Sequence, residues 1–83
     1  MAKDPALATL LEETDISVRY EVAVFDPDRR AVGSVLIPAD ENEEGIRIDG
    51  DGGLAFIARP LVGKILRHHQ QNRVWPQSVQ HVS

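Results

Sequence analysis

A chain of 83 residues, 42 % apolar and 27 % charged, has the composition of an ordinary globular protein and the length of one domain; disordered and fibrous classes are excluded. It contains no cysteine, which excludes disulfide staples, thiolate zinc sites and thiol catalysis. The net charge of −4 is unevenly placed: residues 1–53 carry all 13 acidic side chains against five basic ones, whereas residues 54–83 carry four basic residues, no acid and all three histidines.

Nothing in the sequence reaches the roughly 18 consecutive apolar residues of a membrane span, and the first 13 residues lack the apolar core of a signal peptide. The expectation is a cytoplasmic protein.

In chain order, Asp4-Pro5 reads as a helix start, with Asp as cap and Pro at the first helical position. Leu7, Leu10, Leu11 and Thr14 follow at helical spacing, with Glu12 and Glu13 turned outward, so the pattern predicts a short amphipathic helix over 3–14.

From Ile16 the period changes to two. Ile16, Val18, Tyr20, Val22 and Val24 alternate with Ser17, Arg19 and Glu21, the signature of a half-buried strand. Asp26-Pro27-Asp28 supplies a turn, because Pro fixes one φ and the aspartates bond their own backbone. The return run, Ala31 to Ile37, completes a hairpin over 16–37, with Gly33 as a candidate bulge or close approach.

Ala39 to Gly45, ADENEEG, places four acids in seven residues and predicts a solvated acidic loop. Ile46 to Asp49 and Leu54 to Ile57 flank Gly50-Asp51-Gly52-Gly53, which predicts a second hairpin over 46–57. Counted from Asp49 as a calcium loop, the sixth position is Leu54 rather than Gly and the twelfth is Pro60 rather than Glu, so a plain turn is the better reading. Gly63-Lys64 is followed by Ile65 and therefore ends no phosphate loop.

Arg59-Pro60 predicts a boundary and a helix over 60–71. Its apolar stripe is Leu61, Val62, Ile65 and Leu66, with part of His69; Lys64, Arg67, His68 and Gln71 line the other side. Gly63 suggests close packing on the sheet, and Asn72 a left-handed stop. The tail, 73–83, has alternating valines and predicts an edge strand or a frayed end, with Trp75 filling a gap over the core or standing as a recognition aromatic.

The fold class expected is α+β: a small single domain over 1–83, with an antiparallel sheet of about four strands in two hairpins, flanked by an N-terminal and a C-terminal helix. No set of residues names a reaction. His68 and His69 point about 100 degrees apart on a helix and do not chelate one metal, and no Ser stands in a G-x-S-x-G elbow. Neither a catalytic residue, a cofactor nor a metal ligand is assigned.

The leading reading is a non-catalytic interaction or regulatory protein. It would meet another protein through Lys64, Arg67, His68, Gln71 and Arg73 with Trp75 beside them, and a homodimer would form by sheet edges or by opposing acidic and basic faces. The alternatives are a nucleic-acid-binding protein using that same strip, which the pI of 5.2 disfavours, or an acidic inhibitor of nucleic-acid-handling machinery.

Overall fold

Pro5–Glu13 is a β-strand, β1, in the computed structural model, which describes residues 5–26, 29–50 and 54–82. This replaces the helix expected over 3–14. Leu7, Leu10 and Leu11 fit a helical period, but Ala6, Ala8 and Leu10 alternate equally well, and a helix of nine residues is marginal alone. As a strand the segment pairs on both sides. The doublet Leu10-Leu11 that imitated a helix is a β-bulge: Leu10 opposes Tyr20, Glu12 opposes Arg19, and Leu11 is left over and exposed.

Thr14 closes the next turn. Its N–H donates to the Ser17 carbonyl at 2.8 Å, and its Oγ1 accepts from the Ser17 amide at 3.1 Å. The chain then enters β2, Ser17–Asp26, which pairs with β3, Arg29–Pro38, in unbroken register from Ser17↔Pro38 to Asp26↔Arg29. Pro27 and Asp28, the centre of the expected turn, lie outside the described residues. Gly33 is not a bulge: it opposes Val22 on one side and Gly50 on the other without a register shift.

Among the described residues the second hairpin does not form, and Asp51 to Gly53 of its expected turn lie outside them. Arg47–Gly50 is a short strand, β4, paired with β3, but Leu54 to Ile57 open a single long helix, α1, Leu54–Asn72. Pro60 therefore stands inside the helix rather than at its start; it removes one main-chain hydrogen bond, and the packing of Ala58, Leu61, Val62 and Ile65 on both sides of it outweighs that loss. Gly63 is exposed with nothing near the position of a Cβ, so it does not mark close packing. The left-handed residue that stops the helix is Arg73 (φ 62°), not Asn72; its N–H donates to the His69 carbonyl at 2.8 Å.

The tail folds back as β5, Ser78–Val82, beside β1. Among the described residues the class is α+β, with one antiparallel sheet of five strands in the order β4-β3-β2-β1-β5 and one helix, in place of four strands and two helices. The core is one layer between α1 and one sheet face. Ala6 and Ala8 of β1, Val18, Tyr20, Val22 and Val24 of β2, and Val35 and Ile37 of β3 meet Ala58, Leu61, Val62 and Ile65. Tyr20 is buried in its centre, and its hydroxyl donates to the Pro76 carbonyl at 2.6 Å, tying β2 to the segment that leads into β5. Among the described residues no helix is long and apolar enough to cross a membrane.

Candidate functional site

Two places in the fold gather side chains with chemistry: the outer side of α1 and the hollow at its C-terminal end. On the helix, positions 64, 67, 68 and 71 recur at spacings of three, one and three and share one side. Lys64, Arg67 and Gln71 are exposed and His68 is half-buried. Lys64 Nζ donates to the Gln80 carbonyl of β5 at 2.9 Å. The bond from Leu10 N to the Gln77 carbonyl sets the alternation of the β1–β5 ladder, which turns the Gln80 carbonyl to the free edge of the sheet; Lys64 covers it and keeps its charge. His68 receives the Asn72 side-chain amide on its carbonyl at 3.1 Å.

Arg73 and Trp75 are not on that side. Beyond the left-handed Arg73 the chain turns back over the end of α1, and Trp75, half-buried, stacks on His69 with ring centroids 3.8 Å apart and planes 9° from parallel. His69 Nδ1 in turn bonds Glu41 Oε1 at 2.5 Å, and Gln70 Nε2 donates to Glu41 Oε2 at 3.2 Å. The His69 bond, helped by Gln70 and the nearby Arg73 charge, holds the Glu41 carboxyl below its ordinary pKa. A carboxylate can only accept, so Nδ1 carries the proton of this bond.

The acidic stretch 39–45 is thus more than a solvated loop. Asn42 N donates to Asp40 Oδ1, Asn42 Oδ1 accepts from Glu44 N, both at 3.0 Å, and Glu43–Gly45 forms a 3₁₀ turn. Glu41 sits in this fold-back with φ 62°, a left-handed value that a side chain rarely adopts. The two non-glycine residues with positive φ among those described, Glu41 and Arg73, line the same shallow hollow of about 390 Å³, together with Ala39, Asp40, His69 and Gln70.

The sequence-predicted set is therefore divided. Lys64, Arg67, His68 and Gln71 stand together, whereas Arg73 and Trp75 belong with Glu41 and His69, which sequence reasoning had assigned to a loop and to the apolar stripe. Chemically the Glu41–His69 couple clasps the β3–β4 connection to the end of α1. Its hollow offers two carboxylates, an amide, an imidazole and a guanidinium, and no hydroxyl or thiol side chain. Among the described residues no three His, Asp or Glu side chains gather as metal ligands do. No family model, no curated protein and no solved structure matches this chain.

Proposed function

We propose that this chain is a non-catalytic interaction protein that docks an acidic surface of another protein on the outer side of α1. One observation carries the reading: α1 has no acidic residue, and Lys64 and Arg67 stand exposed on one side of it with no carboxylate paired to either among the described residues. A cation consumed by an internal ion pair is lost to a partner; Lys64 is engaged only by a neutral carbonyl, and its charge stays available. Half-buried His68 and exposed Gln71 add hydrogen-bonding groups to the strip, while Arg73 stands beyond it, in the hollow with Glu41. Trp75 then acts behind this surface, by holding His69, rather than as its contact aromatic.

The test is charge reversal. A variant carrying Lys64→Glu, Arg67→Glu and Arg73→Glu should fail to capture the partner that the wild-type chain captures, while its circular dichroism remains that of the folded protein. The double variant Lys64→Glu, Arg67→Glu is the control for disturbance of Glu41 by a new neighbouring acid. Capture unchanged in both would overturn the reading. If a generic oligonucleotide binds at about 50 mM salt with log K falling against log salt at a slope of a few, the strip serves nucleic acid instead.

A further inference from the structure

The sheet has two faces, and α1 covers one. On the opposite face the ladder registers place side chains in rows across the strands. One row reads Arg47, Leu36, Arg19 and Glu12; the next reads Asp49, Ser34, Glu21 and Thr9; a third holds Val32, Ala23 and Leu7. Arg19, Glu21, Arg47 and Asp49 are exposed, and among the described residues none of them is in an ion pair. Across β2 and β4 like charges are thus aligned, positive in one row and negative in the next, with Glu12 of β1 the acid that opposes Arg19 in the positive row.

We propose that this face binds a second copy of the chain, with a two-fold axis that lies in the plane of contact and crosses the strands between those two rows. Such an axis sets each strand against its own counterpart and exchanges the rows. Glu21 of each copy meets Arg19 of the other, Asp49 meets Arg47, and Ser34 meets Leu36. The contact is self-complementary, as an isologous interface must be, and closes with two copies.

The dimensions suit it. Packed sheets lie about 10 Å apart, a gap that an Arg and a Glu extended toward each other span. Aligned sheets cross at about 30° because each is twisted. With the centre on β3, the charged pairs of β2 and β4 lie only about 4.8 Å to either side, where that rotation displaces partners by roughly 2.5 Å, within the reach of these side chains. About that axis only about seven residues each of β2 and β3, fewer of β1 and β4, and none of β5 face their counterparts, roughly 350 Å² per copy, so the pair buries about 700 Å², less than a stable specific interface and the size of a transient one. A weak, salt-sensitive dimer is the consequence, and it leaves the outer side of α1 free, so this inference stands apart from the proposed function.

Sedimentation of the full chain between about 1 µM and 1 mM at low ionic strength should show a monomer–dimer equilibrium that weakens as salt screens the pairs. Arg19→Glu alone, or Glu21→Arg alone, places two like-charge contacts in the interface by symmetry and should weaken the dimer at least about tenfold. The chain carrying both changes restores complementarity and should dimerise again. An equimolar mixture of the two single variants should form the heterodimer in preference to either homodimer. A wild-type chain that stays monomeric throughout, or a doubly changed chain no better than the single variants, would overturn the proposal. Lys64→Glu with Arg67→Glu should leave the equilibrium as it is; if it dissociates the dimer, the copies meet through α1 and the sheet-face assignment fails.

Discussion

The imidazole of His69 lies flat on the indole of Trp75, with centroids 3.8 Å apart, while its Nδ1 is held by Glu41 from another connection of the fold. One ring therefore ties three segments: the β3–β4 loop, the end of α1 and the approach to β5. Stacked aromatic pairs contribute about 0.5–1.5 kcal/mol beyond their burial. His69→Ala should lower the unfolding free energy by about 1 kcal/mol and shift the emission of Trp75, the sole tryptophan, to the red. His69→Phe keeps a ring on the indole and loses the bond to Glu41, so it should retain the emission while releasing the loop. Urea unfolding followed by fluorescence reads both; an unshifted spectrum in His69→Ala would contradict the stack.

Glu41 makes the clasp sensitive to acid. Its folded-state pKa is lowered, first by the His69 bond, so the stability it contributes is fully present above the ordinary glutamate pKa and is lost as pH falls through the lowered folded value. The difference in melting temperature between the wild type and Glu41→Gln should shrink as pH falls through the lowered carboxyl value. A difference that persists undiminished at pH 2 would show that the charge of Glu41 is not what the clasp uses.

Tyr20 is the polar point in the core. Burial, with some repulsion from the Glu13 carboxylate, pushes its hydroxyl far above the ordinary phenol range, so it stays a donor to Pro76 at every physiological pH. Tyr20→Phe leaves that buried carbonyl without its partner and should cost about 1–3 kcal/mol, measured by urea unfolding. The sign with pH is opposite to that of Glu41. A raised folded pKa gives stability that is complete below the unfolded value near 10 and lost as pH rises above it. Alkaline unfolding should accordingly be steeper for the wild type than for Tyr20→Phe.

The β2–β3 hairpin was legible because its alternation is long and admits one period. Around Leu10-Leu11 two periods compete, and the choice is made by what covers the chain: β1 gains partners on both sides, which no local pattern reveals. The start of α1 was hidden by Pro60, whose usual place is a first turn but which here is overridden by packing. That Lys64, Arg67, His68 and Gln71 share one side of α1 followed from helical spacing, whereas Arg73 and Trp75, past the end of the helix, do not join them. The Glu41–His69 contact did not follow from spacing, since its partners are 28 residues apart and meet only because Glu41 takes a left-handed turn that its residue type does not announce.

Two glycines with opposite surroundings give a last check on where the chain is tight. A methyl group at Gly45 would stand 2.6 Å from Cγ of Pro38, a ring atom that cannot swing aside, so Gly45→Ala should destabilise by about 1–3 kcal/mol through overpacking where β3 leaves for the acidic loop. At Gly63, on the exposed side of α1, nothing lies within 4 Å of that methyl group, and the substitution only exchanges a poor helix former for the best one. Gly63→Ala should therefore stabilise by up to about 1 kcal/mol, or about 4–8 °C in melting temperature for a domain of this size. Thermal unfolding of the two variants side by side should move in opposite directions; a loss of stability in Gly63→Ala would mean that this side of the helix is covered in solution, and would bring the partner of α1 into view.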